Sequence, residues 1–295
     1  MQNQDYLIKL IDAGQNVRVW LARTNRLVEE AHIRHQTSAT ATAALGRVLT
    51  AAVMMGSDLK SDQDLISLRF NGNGPAGTII ATADGNGHVK GLIGNPQADL
   101  PSRSPGKLAV GDLVGAEGYL EVRKDLGLKQ PFEGKVPLVS GEIAEDLAQY
   151  FMQSEQIPAL VSLGVLVGAD LRVLAAGGLI VQALPNAEDA VLEILENNIL
   201  SLGQISQLVL ENETLEDIAA SIMQGIEYTI IARMNLAFAC NCSRERLAII
   251  LAGLNEEEIR EAAENNKDIE AVCNFCRTTY TFSPDEIKAL KSEKP

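Results

Sequence analysis

The sequence is poor in the residues that bind nucleic acid. Of its 295 residues only 4% are aromatic, and 25 Lys and Arg stand against 39 Asp and Glu, which gives a formal charge of −14. Such a chain repels phosphate backbones and offers few rings on which bases could stack. Nucleic acid is therefore not expected as a partner.

An export signal and a long apolar run are also missing. The first apolar stretch, Leu7–Ile11, is shorter than the core of a signal peptide and lacks a basic flank. The most apolar region, residues 157–184, is interrupted by Asp170, Arg172 and several glycines. Neither half reaches the roughly 18 to 20 residues that a membrane helix needs. We expect a cytoplasmic protein without a membrane partner, whose thiols stay reduced.

Residues with catalytic potential are sparse and lie in unsuitable contexts. Gly72–Gly77 matches the Gly-x-Gly-x-x-Gly fingerprint of dinucleotide-binding proteins, but a β-branched run follows it where a helix is required. A turn between two strands is the better interpretation. His32 and His35 share a helical face with charged neighbours, which predicts that both point to solvent. We therefore do not expect an enzyme.

Apolar runs separated by turn residues predict an α+β fold whose core domain spans residues 1–185. Residues 40–56 are dense in Ala, Leu, Val and Met, which favours a helix that is buried over most of its surface. Asp12–Gly14 separates two β-type runs, as in a hairpin. The other predicted elements are strands between residues 66 and 122, a helix over 139–154, and strands over 160–167 and 171–182.

Helical patterns replace strand patterns at residue 186, and we predict an amphipathic helical linker over residues 186–238. Asn186 is a candidate cap for the first linker helix, and Thr214 is one for a second. Each helix has one apolar stripe and one acidic face, and such stripes usually pack against a core. The stripe of the second helix comprises Leu215, Ile218, Ile222 and Met223.

All four cysteines lie after residue 239, in two tight pairs: Cys240 with Cys242, and Cys273 with Cys276. Two such pairs can supply four thiolates to one tetrahedral Zn²⁺, which predicts a structural zinc site in a small domain over residues 239–295. Ser243 and Asn255 are candidate helix caps within this domain.

Two other interpretations of the cysteines remain open. A thioredoxin-type motif at Cys273 and Cys276 is less favoured, because that motif should lie between a strand and a helix early in a βαβ unit. A nucleic-acid-binding zinc ribbon is disfavoured because residues 243–295 carry 8 basic and 11 acidic side chains.

Zinc-bound thiolates are nucleophiles toward peroxide, so oxidation would release the metal and unfold a small domain that depends on it.

The sequence resembles the 33 kDa chaperonin family, the redox-regulated heat-shock protein 33, along the whole chain. The segments that carry the resemblance are Cys240–Ser243, Cys273–Cys276, Ser140–Asp146, Ser154–Pro158, Gly72–Pro75 and Ala176–Gln182. The resemblance implies a bacterial cytoplasmic holdase of the stress response that works without ATP. It also implies that the reduced, zinc-bound form is an inactive monomer.

In that family oxidation activates the chaperone. Carried over to this sequence, Cys240 would pair with Cys242 and Cys273 with Cys276, zinc would be released, the linker would unfold, and the chain would dimerise and hold unfolding client proteins. The family resemblance does not assign client-binding residues here, so we place them on the stripe Leu215, Ile218, Ile222 and Met223. The alternative is a zinc-stabilised protein-binding module without a redox switch.

Overall fold

Two large sheets form the frame of residues 1–238 in the computed structural model, which describes residues 4–102, 107–251, 268–283 and 285–287. The strands are β1 (Tyr6–Asp12), β2 (Val17–Arg23), β3 (Leu65–Asn71), β4 (Ile79–Asp84), β5 (His88–Ile93), β6 (Tyr119–Asp125), β7 (Phe132–Pro137), β8 (Ala159–Val167), β9 (Val173–Ala183), β10 (Tyr228–Asn235), β11 (Ala237–Phe238), β12 (Ile269–Val272) and β13 (Thr279–Phe282). The helices are α1 (Asn25–His35), α2 (Ala39–Gly56), α3 (Val110–Val114), α4 (Ala144–Tyr150), α5 (Asp189–Leu202), α6 (Ile205–Glu211), α7 (Leu215–Ile222) and α8 (Arg244–Leu251).

The first sheet is antiparallel with the strand order β10-β1-β2-β9-β8, and the second has the order β11-β5-β4-β3-β6-β7. The strands β12 and β13 form a separate hairpin in a second compact unit, Ala239–Pro295. Mixed sheets and helices of this kind confirm the predicted α+β class. The hairpin predicted around Asp12–Gly14 is confirmed as β1 and β2, which pair antiparallel.

Helix α2 packs against both large sheets and forms the centre of the main core. Fifteen of its 18 residues are buried, and Ala, Gly and Thr allow strands to approach it closely. Its core cluster includes Trp20 of the first sheet and Phe70 of the second. Among the described residues α2 is long and apolar enough to cross a membrane, but 83% of it is buried within the protein, which is typical of a core helix.

The opposite face of the first sheet carries a second core, built with α5, α6 and α7. Strand residues alternate between the two faces, so Leu7 contacts the α2 core while Ile8 contacts the second core. The first sheet is thus covered on both faces. Residues 186–238, predicted as a linker, lie within the first compact unit, which ends at Phe238. Their action as a linker stays a prediction.

Some local predictions are corrected by the structure. Asn186 does not cap a helix: it has a φ of 66° in the preceding turn, and α5 follows Glu188. His35 does not point to solvent, because its Nε2 lies 3.0 Å from the carbonyl oxygen of Gly91 in a buried contact. Thr214 is confirmed as a cap, since its hydroxyl accepts a hydrogen bond from the N–H of Asp217. Asn255 lies outside the described residues.

A buried carboxylate shapes the turn before α4. Asp146 is fully buried and accepts hydrogen bonds from the N–H groups of Val139, Ser140, Gly141 and Ile143, at 2.7 to 3.3 Å. Ile143 has a φ of 72°, which is costly for a β-branched residue. The four hydrogen bonds hold the chain in this strained conformation. The helix predicted over 139–154 therefore starts later, at Ala144.

We predict that Asp146→Ala lowers the free energy of unfolding of the first unit by about 3 kcal/mol, because it leaves buried N–H groups without an acceptor beside a strained residue. Urea unfolding followed by Trp20 fluorescence measures this, since Trp20 is the one tryptophan of the chain and lies in the main core. The matched control is Glu145→Ala at the exposed neighbouring position, which should change stability by less than about 0.5 kcal/mol. Equal effects of the two variants would contradict this role of Asp146.

Candidate metal centre

The described residues of the unit Ala239–Pro295 form a small apolar core. This core consists of five buried residues: Ala248, Leu251, Ala271, Phe282 and Ile287. Domains with so small a core usually need a metal or disulfides to fold. Arg244 adds one tie between α8 and β13, because it donates to the carbonyl of Thr281 at 2.6 Å and lies over the ring of Phe282.

Two chain segments bring the four cysteines together within this unit. Cys240 and Cys242 lie between β11 and α8, just before Ser243, whose hydroxyl accepts a hydrogen bond from the N–H of Arg246 at the helix start. Cys273 and Cys276 lie in the turn of the β12–β13 hairpin. That turn is closed by a hydrogen bond from Arg277 N–H to the carbonyl of Cys273. The predicted capping role of Ser243 is thereby confirmed.

The four sulfur atoms converge on one point. All four Sγ atoms lie within 4.8 Å of one another. The distance from Cys240 to Cys273 is 3.8 Å, and that from Cys242 to Cys276 is 3.3 Å. A tetrahedral metal with bonds of about 2.3 Å to sulfur requires S–S separations of about 3.8 Å. The cluster therefore fits a single metal ion held by four thiolates.

Polar groups beside the cluster make the four thiols unequal. Burial raises the pKa of the Cys240 thiol to about 12. Burial by itself favours a higher pKa for the Cys276 thiol. Hydrogen bonds involving Thr278 and the neighbouring thiols have the larger, opposite effect, and they lower the pKa of Cys276 to about 6. The Tyr280 hydroxyl lies 3.4 Å from the Sγ of Cys242. Without a metal, Cys276 thus ionises before Cys240.

The sequence did not predict roles for Thr278 and Tyr280. Thr278 lies just before β13 and Tyr280 lies within it. Both hydroxyls lie next to cysteine sulfurs, at 3.3 Å for Thr278 and 3.4 Å for Tyr280. They form an outer shell that can orient the thiolates.

The predicted client-binding stripe is not a surface in this structure. Leu215, Ile218, Ile222 and Met223 are all 0 or 1% exposed and belong to the second core against the first sheet. A client could contact them only after α7 has left the sheet. The amphipathic pattern predicted a helix face that packs against a core, and in the structure the side chains of this face are almost completely buried.

The Gly72–Gly77 motif lies between β3 and β4, which pair antiparallel, so it connects two strands as predicted. The N–H of Gly74 donates to the carbonyl of Val114, and a Cβ on Gly74 would lie 2.3 Å from the carbonyl oxygen of Leu113. Glycine is thus needed for close approach of the two backbones. The motif does not open a helix, and the structure gives it no phosphate-binding geometry.

The chain thus has an α+β domain followed by a small unit in which four thiols converge and could hold one metal ion. The family model described as Hsp33 protein matches residues 5–283, and the chain belongs to that family. The predicted resemblance to the 33 kDa chaperonins is confirmed.

Relatives match over almost the full chain. The 33 kDa chaperonin of Desulforamulus reducens is 47% identical over 287 residues, which cover 97% of each chain. That of Oceanobacillus iheyensis is 44% identical over 288 residues, which cover 98% of this chain and 99% of the relative. The crystal structure of the 33 kDa chaperonin (heat shock protein 33 homolog) from Thermotoga maritima superposes with a TM-score of 0.91 at 37% identity, covering 99% of each chain.

We predict that Cys273→Ser weakens zinc binding at least about 100-fold under reducing conditions, because three thiolates leave a tetrahedral shell incomplete. Competition with a chromogenic chelator measures the affinity. The matched control is Asn274→Ser, an exposed neighbour that is not among the convergent groups, which should bind zinc as the parent chain does. Unchanged affinity in Cys273→Ser would contradict the four-thiolate assignment.

Proposed function

We propose that this chain is an ATP-independent chaperone, a holdase that protects unfolding or oxidatively damaged proteins from aggregation and is activated by oxidation of its four cysteines. The observation that carries the proposal is the convergence of four sulfur atoms within 4.8 Å in a unit whose described residues form a small apolar core. Membership of a family whose relatives are named chaperonins supports the chaperone role. The protein acts by binding, not as an enzyme.

Zinc is the metal we assign to the reduced state. Four thiolates are soft donors, and a closed tetrahedral set of this kind is the usual environment of structural Zn²⁺. Cys240, Cys242, Cys273 and Cys276 would hold it. Bound zinc would serve as a cross-link between the two chain segments that carry the cysteines, in place of a large core.

Oxidation removes the ligands from this cross-link. Two neighbouring thiolates give two electrons to one peroxide molecule, an S–S bond forms, and with two protons the peroxide is reduced to two water molecules. Disulfide sulfur carries no negative charge and is a poor metal ligand. Following the family, we assign the disulfides to Cys240 with Cys242 and to Cys273 with Cys276; with four sulfurs this close, distance alone does not select a pairing.

Loss of the metal should unfold the small unit. Structural zinc supplies roughly 10 kcal/mol or more to modules of this type, which exceeds what the five buried apolar residues described in this unit can replace. We infer that the apolar residues of this unit and the stripe Leu215, Ile218, Ile222 and Met223 become available to clients in the activated chain. We further propose that the reduced chain is monomeric, that the oxidised chain dimerises, and that both act in the cytoplasm.

We predict that peroxide at elevated temperature releases one zinc ion per chain and converts an inactive protein into one that suppresses aggregation of thermally unfolding malate dehydrogenase without ATP. Light scattering reports the client, and a chromogenic chelator reports zinc in the same sample. Reduced, zinc-loaded protein is the control and should leave client aggregation unchanged.

The outcomes separate the proposal from its alternative. If oxidation releases zinc and abolishes binding instead of creating it, the chain is a zinc-stabilised protein-binding module without a switch. If the reduced and oxidised forms protect the client equally, the redox switch is wrong while the chaperone role stands.

A further inference from the structure

In the part of the chain that the structure describes, one edge of the first sheet has no strand paired with it. Strand β8 is the last strand of that sheet and its described partner is β9. The register, with Leu160 opposite Val181 and Ser162 opposite Leu179, directs the N–H and C=O groups of the even-numbered residues toward β9. Two hydrogen bonds fix this alternation, from Ala183 N–H to the carbonyl of Pro158 and from Thr24 N–H to that of Ala176.

The odd-numbered residues of β8 therefore direct their main-chain groups outward. Among the described residues, none donates to or accepts from the N–H or C=O groups of Val161, Leu163 and Val165. These three residues present alternating donors and acceptors along about 13 Å of strand. The side chains of Leu163 and Val165 are buried in the main core, so the edge is rigidly held.

The other edges of the two large sheets are protected against strand addition. Strand β7 carries Glu133 and Lys135 and ends at Pro137, and β11 has only two residues. Strand β10 carries Arg233 and contains a bulge at Ile231 in its pairing with β1. Charges, proline, bulges and short length are the usual protections of sheet edges. The nine residues of β8 contain neither charge nor proline.

A groove runs along this open edge. Its volume is about 570 Å³, and its lining includes residues 161–167, the α4 start and the α6 start. Two charged groups of its wall, Arg47 and Glu142, bind each other at 2.8 Å. The size is within the range of ligand sites, but the row of main-chain donors and acceptors is matched by extended polypeptide and not by a compact small molecule.

We propose that β8 is a docking site for extended segments of unfolded client chains, which add to the first sheet as a sixth, antiparallel or parallel strand. This inference rests on the proposed function and names a client surface separate from the α7 stripe. Recognition through the main chain is independent of client sequence, because every residue except proline has the same N–H and C=O groups.

The test uses the full oxidised chain and a short fluorescent peptide of alternating valine and threonine. Val161→Pro removes one outward N–H group and puts the proline ring in its place. The pairing of β8 with β9 should stay intact, because the N–H of Val161 does not take part in it. We expect peptide binding, followed by fluorescence anisotropy, to weaken about tenfold. The matched control Val161→Thr keeps the N–H and the β-branched shape, and should bind within about twofold of the parent chain.

A second arm does not depend on the variant folding. The same peptide with methylated main-chain nitrogens keeps its side chains but cannot donate, so it should bind the unaltered protein at least about tenfold more weakly. Equal binding of the two peptides, or no binding of either by a protein that protects malate dehydrogenase, would overturn the docking site and leave the proposed function intact. Failure to protect malate dehydrogenase at all would instead reject the proposed function.

A second copy of the chain is the competing occupant. Sedimentation of the oxidised protein distinguishes it: if Val161→Pro converts a dimer into a monomer while peptide affinity is unchanged, β8 is a subunit interface and the client proposal is wrong. An unchanged oligomeric state with weakened peptide binding supports the client site.

Discussion

The convergence of four cysteine sulfurs is the constraint on which the account depends. Among the described residues of 239–295 the core comprises five buried apolar side chains, and units with so small a core usually need a metal or disulfides to fold. Under the proposed function, four thiolates around one ion would form a cross-link between two segments about 30 residues apart in sequence. A unit stabilised in this way would fold or unfold according to the redox state of its thiols, because only thiolates would hold the metal.

The first unit, in contrast, is stabilised by large hydrophobic cores. Helix α2 is buried between two sheets, and the first sheet is covered on its other face by α5, α6 and α7. No cysteine occurs before residue 240, so this part of the chain contains no thiol that an oxidant could modify. Under the proposed function, this α+β domain is joined to a terminal unit whose stability depends on the oxidation state of its cysteines. The formal charge of −14 would help the proposed holdase to stay soluble while it exposes apolar surface.

Sequence patterns predicted what depends on local chemistry and missed what depends on long-range packing. The hairpin, the buried helix and the convergence of the cysteines follow from turn residues, composition and spacing, and the structure has all three. The turn held by Asp146 could not be predicted, because it contains Ile143 in an unfavourable backbone conformation. The burial of His35 could not be predicted, because its partner, the carbonyl of Gly91, is distant in sequence. For the same reason the stripe around Ile218 indicated a helix face but not that the first sheet covers it.

Hydrogen–deuterium exchange of the full chain, reduced with zinc and then oxidised by peroxide, tests the central claim most directly. We expect the amides of β12, β13 and α8 to change from protected to nearly unprotected on oxidation, while those of β2 and β9 in the middle of the first sheet keep their protection. Protection of β12 and β13 that survives complete oxidation and zinc release would contradict the account. It would mean that the small unit is stable without its thiolate cross-link.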